Sequence, residues 1–326
     1  MKSAGIKTIT VLFLLALPLG LAGPAGAQKV YRIGSLNTAE QFVNAFEGFK
    51  GRMVELGYVE GKNVRYDFYN AKGNNEALNA FAKKLVQDKV DMIVTSATSS
   101  TVAAAKATEG TNIPVVFLSA GNPEKLVKSF AGSGSNLAGI SSATLEITAK
   151  RLELLREMVP SVKRIASFND PGGVNYQANL RELREAAKRL GFTLWEIDIH
   201  SREEIEKVLP SIRGRTADAI FTPPESLITQ HIEMIADHAI KERLPLMTSL
   251  LANVKKGCLA TYAADYFALG RQGAVLADKI FKGFKPSDLP IELPSKLSLV
   301  INLKTAKAIG LKVPREILLR ADEVIQ

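Results

Sequence analysis

From Val30 onward, short β-branched runs alternate with stretches whose apolar residues recur at helical spacing. That alternation predicts parallel α/β sheets. Val30 to Leu36 reads as a strand, followed by a helix over Gln41 to Glu55 that places Phe42, Phe46, Phe49 and Met53 on one face. Gly57 stops it. A strand over Val64 to Tyr69, a helix over Asn75 to Gln87 and a strand over Met92 to Thr95 come next, and Val115 to Leu118 closes this half. The same order then recurs. It runs through strand Ile165 to Phe168, helix Tyr176 to Leu190, strand Thr193 to Ile197, helix Arg202 to Ile212, strand Ala219 to Thr222, one long helix Leu227 to Arg243 and strand Leu246 to Thr248. A helix over Asp265 to Phe281 and a strand over Leu297 to Leu303 remain.

Short motifs repeat with the elements. Arg32-Ile-Gly-Ser-Leu-Asn37 returns as Arg164-Ile-Ala-Ser-Phe-Asn169, and Leu56-Gly-Tyr58 returns as Leu190-Gly-Phe192. Asp91-Met-Ile-Val-Thr95 returns as Asp218-Ala-Ile-Phe-Thr222, and Ile113-Pro-Val115 as Leu244-Pro-Leu246. Four matches in one order imply two equivalent α/β halves, and the cleft between two such lobes is a natural place for a small ligand. The residues beyond a simple duplication imply three crossings between lobes, near Gly139 to Ser142, Tyr262 to Asp265 and Lys285 to Pro294. Three such strands permit a hinge. The expected lobes are 28–140 with about 265–287, and 141–264 with about 288–326.

The first residues follow a different pattern. Lys2 and Lys7 precede the apolar run Ile9 to Leu21, and Ala25-Gly26-Ala27 supplies the small residues of a cleavage site. This reads as a secretory signal removed after Ala27, too short to serve as a membrane anchor. The one cysteine, Cys258, lies far from that site within an apolar run, so it reads as a buried thiol, and no lipid-attachment cysteine follows the leader. A periplasmic protein that is not a lipoprotein is expected. Losing Lys2 and Lys7 takes the net charge from +9 to +7. The basic residues are scattered over amphipathic helices such as Arg181 to Arg189, which argues against nucleic acid as a partner.

Ligands of open α/β sheets bind beyond the carboxyl ends of the strands. The loops there offer Asn37-Thr38, Ser96-Ala97-Thr98-Ser99 running on to Thr101, Ser119 and Asn122, and, in the second half, Asn169 and Glu225. Hydroxyls around the free N–H groups of a helix start suit a carboxylate; capping alone is the simpler role. Glu225 and Asp265 are the candidates for holding an ammonium group, and Tyr262 and Tyr266 could pack against a flat ligand. Asp170 is assigned to the Pro-Gly-Gly turn. Catalysis is poorly supplied. His231 and His238 are seven apart, unlike a zinc pair; Gly132-Ser-Gly-Ser135 lacks the context of a nucleophile elbow; no phosphate loop or dinucleotide fingerprint occurs. No cofactor and no metal are expected.

The closing stretch Leu299-Val-Ile-Asn-Leu-Lys-Thr-Ala-Lys-Ala-Ile-Gly-Leu311 and Leu318-Leu-Arg-Ala-Asp-Glu-Val-Ile325 resembles the periplasmic substrate-binding proteins of ABC transporters of the tryptophan/tyrosine type. Leu56 to Val64, Val90-Asp-Met-Ile-Val94 and Lys150-Arg-Leu-Glu-Leu-Leu155 match it too, so the resemblance covers nearly all of the exported chain. It implies a type I binding-protein fold of two Rossmann-like lobes with three crossovers, and delivery of a solute to a membrane permease. It also implies that Ser96 to Ser99 meet a ligand carboxylate and that Tyr262 and Asp265 belong to a Tyr-Gly-Pro-Asp-like cleft segment. Ala263-Ala264, Asn122-Pro123, Pro223-Pro-Glu225 and Ser99 depart from the family's usual residues. The expectation is a monomeric binding component of an importer that closes on a small zwitterionic or carboxylate ligand, with an amino acid, aromatic or branched, as the favoured case. A sensory protein that presents its ligand to a receptor kinase is the alternative, and an exported enzyme a weaker one.

Overall fold

A computed structural model describes residues 29–326; the leader and its cleavage after Ala27 lie outside the described residues. The first run of elements is β1 (Tyr31–Asn37), α1 (Val43–Glu55), β2 (Val64–Asn70), α2 (Asn75–Gln87), β3 (Met92–Ser96), α3 (Thr98–Ala107), β4 (Val115–Ala120) and β5 (Leu137–Ser141). Next come α4 (Thr148–Met158), β6 (Arg164–Asn169), α5 (Tyr176–Leu190), β7 (Thr193–Asp198), α6 (Arg202–Val208) and β8 (Ala219–Thr222). Then follow α7 (Ser226–Gln230), α8 (Ile232–Lys241), β9 (Leu246–Thr248), α9 (Leu251–Val254) and β10 (Ala260–Ala264). The chain ends with α10 (Tyr266–Phe281), β11 (Leu297–Asn302), α11 (Leu303–Ala308), α12 (Arg315–Leu318) and β12 (Glu323–Ile325).

Five strands form one parallel sheet in the order β2-β1-β3-β4-β5. The other sheet runs β7-β6-β8-β9-β10 in the equivalent order, then adds β11, antiparallel to β10, and β12 beside it. Apolar clusters cover both faces of each sheet, the arrangement that parallel strands require because their crossover helices lie on the faces. The repeated motifs make repeated bonds. Asp91 accepts the Arg32 backbone N–H at 2.8 Å, and Asp218 accepts that of Arg164 at 2.8 Å. Asn37 donates to Ser35 Oγ at 2.9 Å, while Ser167 Oγ donates to Asn169 Oδ1 at 3.1 Å.

The polypeptide passes between the sheets after β5, after β10 and before β11. Several elements differ from the sequence reading, and three bear on the cleft and its crossings. The first sheet closes with β5, not β4, because Leu137 to Ser141 is a fully buried strand too short and glycine-interrupted to show a period. The long helix predicted over Leu227 to Arg243 is two helices, broken at His231. The segment after Cys258 is a strand, β10, with the thiol itself fully buried.

Helix α10 belongs to the first sheet's side, where Leu269, Ala274, Leu276 and Ala277 join Phe46, Phe49 and Met53 of α1 in one core. The two helices approach closely through glycine. A Cβ on Gly270 would run into the carbonyl of Ala45, and one on Gly48 into that of Phe267. Backbone cannot yield as a flexible side chain does, so Gly270→Ala should lower the unfolding free energy by about 1–3 kcal/mol. Urea denaturation checks this; wild-type stability in the variant would show that the helices separate freely.

Candidate functional site

The carboxyl ends of both sheets face one cleft. The first sheet contributes Thr38 and Phe42 after β1, Gly73 and Asn75 after β2, and Ala97, Thr98 and Ser99 at the start of α3. Ser119, Gly121, Ser142 and Thr144 continue the wall along β4 and past β5. From the second side come Asp170, Gly173 and Asn175 after β6, then Glu225, Ser226 and Gln230 after β8. Tyr266, at the start of α10, packs its ring 5.6 Å from that of Phe42 and forms an apolar wall with it. The cleft holds about 130 Å³, close to the roughly 150 Å³ of a cavity that takes one benzene ring.

The lobes touch across this space. Thr98 Oγ1 accepts from Gly121 N at 2.9 Å and from Asn175 Nδ2 at 3.0 Å, the latter on the opposite lobe. Lys125 Nζ donates to Val174 O at 3.4 Å, and Gly73 abuts the amide of Gln230. Asn175 Oδ1 is buried without a partner among the described residues.

Helix α3 begins on an unusual backbone. Ala97, its N-cap, has φ 79° and ψ 159°, and no side chain caps the helix. Non-glycine residues rarely occupy such conformations, which cost about 1–3 kcal/mol and cluster at functional sites. Its N–H is held by Ser119 Oγ at 3.1 Å. Ser100 and Thr101 turn inward onto the Ala97 carbonyl, each at 2.9 Å. The uncapped first turn thus lines the cleft with Ala97, Thr98 and Ser99, a setting that favours an anion.

Glu225 supplies the opposite charge. It is 4% exposed, receives one hydrogen bond from Asn179 Nδ2 and has no ion pair among the described residues. Burial pushes its carboxyl from 4.5 up to about 7; Asn179 opposes the rise and the nearby Asp170 adds to it. Gly173 lies so close that a Cβ there would meet the carboxylate. Asp170 accepts from Gly172 N at 2.9 Å, as the turn requires, and also borders the cleft, where burial raises its pKa.

Thr38, Ala97, Thr98, Ser99, Ser119 and Glu225 thus come together in one cleft. Six other candidates do not line it. Asn37 through Nδ2 and Asn169 through Oδ1 turn back onto the serines of the repeat, and Asn37 Oδ1 is left without a partner among the described residues. Ser96 gives its carbonyl to Ser100 at 2.6 Å, and Asn122 borders a separate surface hollow with Gln177 and Arg181. Tyr262 packs against the second lobe's core, and Asp265 caps α10 by accepting from Phe267 N at 2.8 Å. Asn175, Thr144, Gln230 and Phe42 line the cleft without having been singled out in the sequence. Only Asn175 carried a local signal, an asparagine just ahead of a predicted helix.

The sequence pattern of the family described as ABC transporter substrate binding protein matches residues 39–325. The chain belongs to that family. A tyrosine-binding protein of Clostridioides difficile (strain R20291) is 29% identical over 287 residues, 87% of this chain and 82% of that protein. The ABC domain from Streptococcus pneumoniae in complex with L-Trp superposes with a TM-score of 0.84 at 26% identity, covering 91% of this chain and all of that one. The ligand-free, open structure of a substrate binding protein with adhesive properties from Clostridium difficile gives 0.69 at 27% identity over the same shares. The chain therefore has the type I fold of an ABC substrate-binding protein, and its relatives are binding proteins. No described helix is long and apolar enough to cross a membrane.

Glu225 has a measurable consequence for stability. Its folded pKa is raised, so the stability it contributes is full below pH 4.5 and is lost as pH rises through about 7. Glu225→Gln keeps an acceptor for Asn179 and should stabilise the unliganded protein at pH 8 by on the order of 3 kcal/mol, with little change at pH 4.5. Urea unfolding at both pH values checks this, and equal effects at the two would place Glu225 in the ordinary carboxylate range.

Proposed function

We propose that this protein is the periplasmic solute-binding component of an ABC importer, and that it closes two lobes on a zwitterionic amino acid. The observation that carries this reading is the polarity of the cleft. Among the described residues the buried Glu225 carboxylate has no cationic partner, and no side chain caps the start of α3. An amino acid answers both. Its ammonium compensates Glu225, and Asn175 Oδ1 is an unused acceptor nearby; its carboxylate takes the α3 N–H groups and the hydroxyls of Thr98, Ser99 and Ser119. Phe42 and Tyr266 offer rings to an apolar or aromatic side chain. The names of the relatives, a tyrosine-binding protein and an L-Trp complex, support the aromatic class.

Closure is the second part of the reading. The lobes move as 28–140 with about 265–287 against 141–264 with about 288–326, hinged at the three crossings. The Thr98–Asn175 bond, and the higher similarity to the L-Trp complex than to the open relative, support a closed arrangement here. A ligand that touches both lobes stabilises that form by its extra contacts, and a membrane permease then receives the closed, loaded protein.

A thermal-shift screen of residues 28–326 tests the ligand class. At about one hundred times its dissociation constant a ligand adds roughly 2.7 kcal/mol to stability. The expected outcome is a shift with L-tyrosine, L-tryptophan or a branched amino acid, and none with 3-phenylpropionate, which keeps a carboxylate but lacks the amine. An equal shift with 3-phenylpropionate would remove Glu225 as an ammonium partner. A shift with sugars alone would discard the amino-acid reading.

A further inference from the structure

Among the described residues Arg151 is the largest fully buried side chain, 1% exposed, and it has no ion pair. Three neutral groups receive its guanidinium. Nε donates to the Tyr262 carbonyl at 2.8 Å, Nη1 to the Thr144 carbonyl at 2.8 Å and Nη2 to Thr144 Oγ1 at 3.2 Å. Thr144 lies on the crossing after β5 and Tyr262 lies in β10, just before the next crossing. One side chain therefore clasps two of the three connections between lobes.

Thr144 is also part of the cleft wall. A Cβ built on Gly121 would lie 2.9 Å from the Thr144 methyl, 3.3 Å from Asn175 Nδ2 and 3.6 Å from Thr98 Oγ1. Thr144 is thus packed among the groups that join the lobes. The residue before it, Ala143, has φ 51°, in the left-handed region, and its N–H is held by Ser141 Oγ at 3.0 Å. The bend that presents Thr144 to the cleft is fixed from both sides, by Ser141 and by Arg151.

A buried cation solvated by carbonyls and one hydroxyl keeps its charge uncompensated, which is costly unless an anion comes near. Burial pulls the guanidinium down to about 9, which still leaves it charged at neutral pH. Tyr266, beside the same cleft, and the exposed Glu146 are the titratable groups whose fields act on it. Glu225 and Asp170, which share the second lobe with Arg151, provide the negative end of the cleft, and among the described residues no basic side chain lines it.

We propose that Arg151 is the positioning residue that sets the cleft's preference for a carboxylate, holding Thr144 in the wall and supplying a buried positive charge behind it. This rests on the amino-acid reading above. It adds a residue that touches no ligand yet decides between a charged and an uncharged ligand end.

The test measures, by calorimetry, the affinities of the wild-type protein, Arg151→Lys and Arg151→Met for L-tyrosine and L-tryptophan and for their uncharged carboxamides. The wild type should favour the carboxylate over the carboxamide at least tenfold. Arg151→Lys, which keeps the charge, should hold that preference within threefold. Arg151→Met should shrink it toward unity, chiefly by losing affinity for the amino acid. Equal losses for both ligand types in Arg151→Met would reduce Arg151 to a stitch between crossings and overturn the proposal. So would loss of the preference in a folded Arg151→Lys, which decides the matter even where Arg151→Met does not fold. A wild-type protein that binds carboxamides as tightly as amino acids contradicts the proposal and the carboxylate role of the α3 start, while leaving the ammonium role of Glu225 standing. One that binds neither contradicts the amino-acid reading and, with it, the proposal.

Discussion

A carboxylate buried to 4% exposure with a single amide for company is an unfavourable thing to build into a fold. Glu225 is in that position, and the surrounding structure keeps it there. Gly173 leaves it the room that a Cβ would fill. Asn179 orients it, and Asp170 adds a second negative charge rather than relieving the first. Across the cleft, the start of α3 presents N–H groups without a cap, on a backbone bent at Ala97. On the proposed reading an incoming zwitterion would satisfy both ends, and the electrostatic cost carried by the empty protein would become differential affinity for the closed form.

The fold places these groups by repetition. Each half builds strands in the order 2-1-3-4-5 and delivers its loops to the same side, so two unrelated sets of side chains meet. The internal bonds of the repeat, Arg32 with Asp91 and Arg164 with Asp218, fix the ends of the strands remote from the cleft. At the near ends the sequences diverge, with hydroxyls and aromatic rings on one side and carboxylates and amides on the other. Close helix contacts at Gly48 and Gly270 bind α10 to the first lobe although the chain reaches it from the second.

Much of this was legible in the sequence. The repeat Arg32 to Asn37 and Arg164 to Asn169 announced two equivalent halves, and helix α2 falls on its predicted bounds, Asn75–Gln87, because its apolar period is unbroken. Strand β5 was not read as a strand and β10, ahead of Asp265, received no bounds; both are short, small-residue runs buried on two faces, where periodicity carries no signal. The rule that ligands meet the carboxyl ends of strands selected Thr38, Ala97, Thr98, Ser99, Ser119 and Glu225, all of which line the cleft. It also selected Asn37 and Asn169, since loop position does not reveal whether a side chain turns toward the cleft or back onto its own strand. Asp265 sits one residue from the cleft-lining Tyr266 but is drawn into capping α10. Asn175 showed only that it precedes a helix; its place in the cleft comes from its bond to Thr98, far away in the chain, and that of Thr144 from packing beside Gly121.

The pairing of Glu225 with a ligand ammonium is tested most directly by proton release. Calorimetric titration of residues 28–326 with L-tyrosine or L-tryptophan, in buffers of different ionisation enthalpy, counts the protons exchanged on binding. With the free carboxyl near pH 7, about one proton should leave per ligand bound at pH 6 and almost none at pH 8, with affinity about tenfold weaker at pH 6. Tight binding with no proton released at either pH would contradict the account, because Glu225 would then keep its protonation state and could not be the ligand's counter-charge.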